Sequence, residues 1–531
     1  MKKLLTLLMV LAVVVSIPIF AGGQQEPEGR ETVTIMVWDV DASSDQPVIK
    51  YIEDKLNINI EWRIFPHAER ETAVNLMIAA GGEMPDIFPA FVHSASLEEL
   101  AEKSVIIPWG DYMAAGKMPL TVAKLNDPKF IAVKNQMTSD RDGKIYALPD
   151  MYNNEMWTFT DVVRSDWMEK CGITKDPETV EEYRDMLRAF KTMDPNGNGK
   201  ADEIGWVNWY AGVDWLKMFT KMFGMPTPDY SLSSVDTLYW SMINHNEVIF
   251  TPTHPRFLEM LKYVNTLWEE GLIHPEQFTM TGQVCNITAF GNTLGTWQRW
   301  PNSVPNNTTT LREIDPNAMW HMYPYPIDER FMTPDDRKYA RRGPCSHSWV
   351  LSAKGKNPEG AVRLMDFLFG DEEFVIVSEF GIEGIHHEVD ENGDLQYIGE
   401  WADMEPYARS VALGFQATCL PHEYRDIGNM QRVGTDPMYD DYKKFMADID
   451  AWLKPPYFWK IPSADRELTR IPRKIGSTYI DEAITRFVIG TKPFSEWDEY
   501  VATINKEAGD KIDAALEIYQ KYFDEKIKAG Y

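Results

Sequence analysis

Between Thr32 and Phe65 the chain reads as strand, helix, strand. Thr-Val-Thr-Ile-Met-Val-Trp is β-rich, a polar run spans Asp39 to Gln46, a helix covers about Pro47 to Leu56, and Asn59 to Phe65 forms the second strand. Two strands joined through a helix pair in parallel, so this opening commits the chain to an α/β fold. The next stretch continues the pattern: Glu69 to Ala80 is helical, Gly81-Gly82 stops it, and Met84-Pro85-Asp86-Ile87-Phe88 starts another strand. At 531 residues, 44% hydrophobic and 25% charged, the chain has material for two or more lobes with cores of their own.

A second feature lies at Asp194-Pro195-Asn196-Gly197-Asn198-Gly199-Lys200-Ala201-Asp202-Glu203. Oxygen side chains stand at positions 1, 3, 5 and 9 of a loop running from 194 to 205, Gly199 sits at position 6 where the backbone must turn, and Lys200 offers its carbonyl at position 7. This is the donor pattern of a calcium loop, with Asp194, Asn196, Asn198, Lys200, Asp202 and Glu203 as the candidate ligands. The twelfth position is Gly205 where an EF-hand has a bidentate Glu, so the loop is incomplete and Glu203 is the available substitute. The same residues also make an ordinary Asx/Gly turn, and spacing alone leaves both readings open.

The loop's flanks carry a resemblance. Arg164-Ser165-Asp166-Trp167, Gly172-Ile173-Thr174, Pro177-Glu178-Thr179-Val180-Glu181-Glu182-Tyr183 and a helix to Phe190 precede it, and Asp202-Glu203-Ile204 closes it. With Asp142-Gly143-Lys144-Ile145-Tyr146-Ala147-Leu148-Pro149, Gly271-Leu272-Ile273-His274-Pro275-Glu276, Asn357-Pro358-Glu359-Gly360-Ala361 and Phe380 to His387, this succession resembles the family 1 extracellular solute-binding proteins of ABC importers. In more detail it looks like the large oligosaccharide binders related to the alginate-binding proteins and the LplA-type lipoproteins. The resemblance implies the type II periplasmic-binding-protein fold, two α/β lobes joined by crossing strands around a cleft. It places 31–152 with about 310–400 in the amino-terminal lobe, and 153–309 with about 401–531 in the carboxy-terminal lobe that carries the loop. It also implies a monomer that captures an oligosaccharide by hinge closure and hands it to permease subunits in the inner membrane. Calcium in the loop would be structural.

Composition bounds the partners. With 53 basic and 81 acidic residues the formal charge is −28, which argues against nucleic acid and anionic surfaces. Met1 to Ala21 reads as a secretory signal peptide, with Lys2 and Lys3 ahead of an apolar run, and Gly22 to Arg30 reads as a polar, disordered linker. No Cys follows the apolar run, so a free periplasmic protein is expected. Cys171, Cys285, Cys345 and Cys419 are widely spaced, without a CxxC pattern, and free thiols and disulfides both remain open.

Sugar rings present flat C–H faces that lie on aromatic rings, and 12% of this chain is aromatic. Positions at expected strand ends and lobe crossings are the candidates: Trp38 and Asp39 after the first strand, Glu155 and Trp157 after the first crossing, and Trp297, Gln298, Arg299 and Trp300 at the end of a strand read over Phe290 to Trp300. Trp349 and His386 complete the set. Arg299 suits either a uronate carboxylate or a surface salt bridge. A secreted glycoside hydrolase, with Glu155, Glu383 or Asp39 as acid and base, is the competing class, and a peptide or other non-sugar binder is a third. No Gly-x-Ser-x-Gly, His-Glu-x-x-His or P-loop motif occurs, so no catalytic residue is assigned.

Overall fold

Val33 to Trp38 are buried without a break in the first strand, and a strand apolar on both faces needs cover on both sides. In the computed structural model this strand, β1 (Glu31–Trp38), is accordingly interior to a sheet. The structure describes residues 29–38, 42–66, 69–90, 96–127, 130–139, 141–149, 151–152, 160–226, 240–243, 247–337, 339–340, 348–404, 406–414, 422–424, 436–454, 472 and 474–528. The expected signal segment 1–21, most of the linker, Asp39, Glu155, Trp157, Cys345 and Cys419 lie outside them.

A helix from Pro47 to Leu56 leads to β2 (Ile58–Phe65), which pairs in parallel with β1 in the register Glu31↔Ile58 to Trp38↔Phe65. Pro at the helix start needs no N–H partner, and Asn57 closes the helix at φ 52°. The next helix, Arg70–Ala80, stops at Gly81 with φ 65° and feeds β3 (Ile87–Ala90), parallel to β1. β4 (Ile106–Ile107) and β5 (Ala147–Pro149) complete the local strands of this lobe, and β6 (Met151–Tyr152) leaves it.

The second lobe holds β7 (Thr160–Arg164), β8 (Ile204–Val207), the hairpin of β9 (Trp240–Ile243) and β10 (Glu247–Phe250), β11 (Leu294–Arg299) and β12 (Trp320–Tyr323). Its sheet runs β12-β7-β11-β8, antiparallel except for β11 and β8. The chain returns through β13 (Tyr339–Ala340) to β14 (Ser348–Ser352), which inserts antiparallel between β3 and β4 to give the order β2-β1-β3-β14-β4, with β5 also paired to β14. The hairpin β15 (His387–Val389) and β16 (Leu395–Tyr397) follows, then β17 (Glu423–Tyr424) paired with β6, and β18 (Leu453–Lys454) paired with β13. Two separate hydrophobic cores result, one around each sheet.

Three details differ from the sequence reading. The strand read over Phe290 to Trp300 begins only at Leu294. The helix Gly282–Phe290 ends at Gly291, where a Cβ would stand 2.6 Å from the Ile287 carbonyl oxygen, so only glycine fits the stop. The return to the first lobe also comes later than residue 310: Trp320, Met322 and Tyr323 belong to the second core, and the crossing lies between 337 and 348. Conversely, the helix Pro406–Leu413 packs on the helix Pro47–Leu56, Leu413 lies in the first core, and Gln46 Nε2 donates to the Val411 carbonyl at 2.8 Å. The first lobe therefore reaches past 401, and the chain crosses a third time between 424 and 436.

Candidate ligand cleft and cation loop

The register of the two sheets identifies one edge of each. In the first, Ala90 ends β3 opposite Ser348, and Ser348 lies opposite Pro149, the end of β5; Trp38 ends the neighbouring β1. In the second, Arg299 ends β11 opposite Thr160, the first residue of β7, while Tyr323 ends β12 opposite Asp161. The chain leaves the first edge at β6 and enters the second at β7, a step from 152 to 160 that spans at most roughly 28 Å. Both edges thus face the junction of the lobes, and the carboxyl ends of parallel strands are where open α/β sheets place ligands.

At the second edge the strand exits are wired together. Asp161 is fully buried and accepts from Lys221 Nζ at 2.5 Å and from Gln298 Nε2 at 2.6 Å. Gln298 Oε1 accepts from Asn208 Nδ2 at 3.3 Å. The buried Gln277 then clamps the turn after β8, accepting from Asn208 N at 2.9 Å and donating to the carbonyls of Asn208 and Tyr210 at 3.0 and 2.8 Å. That clamp holds Trp209 outward, 42% exposed, and its ring covers one side of Arg299 with the guanidinium carbon 4.5 Å from the ring centroid. Trp297 covers the guanidinium from 4.6 Å. Asp161 is tied into this ion pair and amide network, so it is not placed as a free acid or base.

The candidate ligand residues divide. Trp38, Gln298, Arg299, Trp300 and Trp349 do come to the two strand-end edges. Their aromatic surface is nevertheless mostly consumed by packing: Trp349 is fully buried and stacks on Trp38 with centroids 5.6 Å apart, and Trp297 is enclosed against Trp320 and Phe290. Trp300 is half-buried against the second core. His386 is elsewhere. It lies in the turn after Gly381, accepts from the Ile382 N–H at 2.9 Å and packs on Trp401, and burial, followed by the neighbouring His387, pushes its pKa down. Asp39, Glu155 and Trp157 fall outside the described residues. Trp209 was not singled out from the sequence, although it is the one exposed Trp among the described residues. Its only sequence signal is an Asn-Trp-Tyr exit from a strand.

One cavity among the described residues lies at the opposite end of β7. It measures about 300 Å³ and is bounded by Ser165, Lys175, Asp176 and His321 among others.

The cation loop is built from its own polar groups. The helix Val180–Thr192 starts in a capping box, with Thr179 and Glu182 exchanging side-chain and backbone bonds, and delivers the chain to Asp194 at φ 50°. Asp194 accepts from Asn198 N at 3.1 Å and Gly199 N at 3.0 Å, Asn196 accepts from Asn198 N at 3.0 Å, and Asn198 accepts from Lys200 N at 2.8 Å. Asp202 accepts the amides of Asn196 and Asn198 at 3.2 and 3.0 Å. Asn196 also donates to the Asn292 carbonyl at 3.2 Å, and Asn292 Oδ1 accepts from the buried Arg164 at 2.6 Å. The Arg-Ser-Asp-Trp motif therefore anchors the loop, since Arg164 also holds Asp166 at 2.7 Å and Asp315 at 3.2 Å.

Glu203 gives the test of fit. It is 4% exposed, and neither carboxylate oxygen has a hydrogen-bond partner. Burial, then the charges of Asp194 and Asp202, raise its pKa. A buried, unpartnered carboxylate beside two others is costly unless a cation completes the group. Gly205 explains the missing twelfth ligand: it is the second residue of β8, and a Cβ there would stand 2.7 Å from the Leu272 carbonyl oxygen, so no side chain fits. Among the described residues no group of three His, Cys, Asp or Glu side chains is already gathered for a metal; the loop's remaining oxygens come from Asn side chains and backbone. The donor set fits a hard, oxygen-seeking cation.

No family model matches the chain. In sequence it is 23% identical over 514 residues to the fructooligosaccharide ABC transporter substrate-binding protein FusA of Streptococcus pneumoniae serotype 4, covering 91% of this chain and 87% of that one. It is 21% identical over 495 residues to the polygalacturonan/rhamnogalacturonan-binding protein YtcQ of Bacillus subtilis, covering 90% and 87%. Among solved structures, the alginate-binding protein AlgQ2 without calcium ion superposes with TM-score 0.71 at 19% identity, over 94% of this chain and 99% of that one. The FusA EF-hand mutant in complex with fructo-nystose gives TM-score 0.70 at 20% identity, over 94% and 100%. The chain shares the two-lobe fold of these solute-binding proteins, and the relatives are binding proteins rather than enzymes.

Proposed function

We propose that this chain, similar over nine-tenths of its length to substrate-binding proteins of ABC transporters, is the capture component of such an importer: it binds an oligosaccharide between its lobes and presents it to permease subunits. The observation that carries the reading is the pair of strand-end edges facing one lobe junction, with Trp209 exposed beside a hydrogen-bonded polar cluster of Asp161, Lys221, Gln298 and Asn208. An exposed ring next to fixed donors and acceptors suits a sugar, whose C–H face stacks while its hydroxyls bond at the rim. Ligand that touches both lobes favours the closed arrangement, because only differential contact shifts a conformational equilibrium. The protein works outside the cytoplasm after removal of the segment 1–21. Calcium in the loop formed by Asp194, Asn196, Asn198, Lys200, Asp202 and Glu203 stiffens the second lobe away from the cleft; Glu203's unpartnered oxygens support this.

Two measurements test the reading. A panel of neutral and uronic oligosaccharides should include members that raise the unfolding temperature, by about 2.7 kcal/mol of stability at 100 times the dissociation constant. Prolonged incubation with such a member should release no new reducing ends; turnover would move the protein to the glycoside hydrolases.

A further inference from the structure

Arg299 stands apart from the other buried guanidinium groups of its lobe. Arg164 is neutralised by Asp166 and Asp315 and also reaches Asn292, and Arg337 donates to the Glu178 carbonyl. Arg299 is nine-tenths buried and, among the described residues, makes no hydrogen bond or ion pair; its Nε is enclosed without an acceptor. The titrating group that acts on it is the thiol of Cys285, which burial pushes up to about 12 and which therefore carries no charge to offset the cation. Burial alone pulls the guanidinium down to about 10.

A buried ionic donor without a partner costs several times what an ordinary hydrogen bond contributes, so an acceptor supplied from outside recovers an unusually large amount. The surroundings hold the group still for one. Trp209 and Trp297 cover the guanidinium at 4.5 and 4.6 Å, and Gln298, the residue before it, is fixed to Asp161. The position is the last residue of β11, at the edge facing the lobe junction, and next to the exposed Trp209.

We infer that the oligosaccharide is anionic and that its charged oxygens seat on Arg299. The inference rests on the oligosaccharide-binding reading and names the charge of its ligand. A uronic carboxylate and a sulfate ester both present oxygens to a guanidinium; the planar fork matches a carboxylate in two parallel bonds.

The test is calorimetric titration of the whole protein with an oligouronate, the same oligomer methyl-esterified, a sulfated oligosaccharide and a neutral one. The acid should bind at least ~30-fold more tightly than its ester, the scale of removing one partner of a buried charged hydrogen bond. In Arg299→Met that preference should fall to less than ~3-fold, while Arg299→Lys retains part of it. Selection of the sulfated oligomer over its unsulfated parent, lost in Arg299→Met, supports the same anion seat with sulfate as the group. Equal binding of acid and ester by the wild type, with no preference for sulfate, overturns the inference and leaves sugar capture standing, and this comparison does not depend on a variant folding. Failure of every oligosaccharide to bind overturns the functional reading itself.

Discussion

Chelation of divalent cations should lower the unfolding temperature of the protein, and calcium should restore it. An ion that binds the folded loop and not the unfolded chain adds stability by mass action, about 2.7 kcal/mol at 100 times its dissociation constant. Glu203 makes the test two-sided. Without a cation its buried carboxylate has no hydrogen-bond partner and faces the charges of Asp194 and Asp202. Glu203→Gln should therefore unfold at a higher temperature than the wild type in chelator, and respond less to calcium. Asp194→Ala removes the acceptor of two backbone N–H groups as well as a ligand, so it should lose both loop stability and the calcium response. An unchanged unfolding temperature in a verified metal-free sample would mean that the loop is a turn and nothing more.

The second large effect belongs to His321 on β12. Its Nδ1 lies 2.5 Å from Asp441 on the helix Pro437–Trp452, and its Nε2 lies 3.1 Å from Asp176 in the segment before Thr179. Burial works against the imidazolium, but the two carboxylates outweigh it and push the pKa up to about 10 from 6.5. A cation stabilised in the folded state contributes its full amount below the unfolded pKa, and the contribution disappears as pH rises through the folded one. The stability of the wild type should thus fall between about pH 6.5 and pH 10 by up to ~5 kcal/mol, and His321→Gln should be less stable at pH 6 with most of that slope gone. Parallel pH profiles for the two proteins would refute the clamp. The clamp's structural role is plain: it ties the helix that follows the third lobe crossing to the second sheet.

Local signals carried much of the architecture. The strand, helix and strand between Glu31 and Phe65 follow the sequence pattern to within a residue, because Pro47 and Asn57 punctuate the helix and most of the strand residues are β-branched or aromatic. The stop at Gly81 was equally legible. What was not legible depends on distant partners. All six residues of β11 are buried, so alternation could not tell which face of Trp297 meets protein and which meets a ligand. β12 reads like any short strand, and only its pairing with β7 assigns it to the second lobe. Trp209 gave no periodic signal; its exposure follows from Gln277, 68 positions later, clamping the turn on either side. Arg299 was legible as a residue but not as an unpaired cation, since a missing acceptor is a property of the folded neighbourhood.

The central claim is capture of a sugar between two lobes, and small-angle scattering measures it most directly. The radius of gyration of the protein should decrease when it is saturated with an oligosaccharide shown to bind, and should return when the sugar is dialysed away. Saturation with a tightly bound oligosaccharide that leaves the radius of gyration unchanged would contradict binding by closure of the lobes around the ligand.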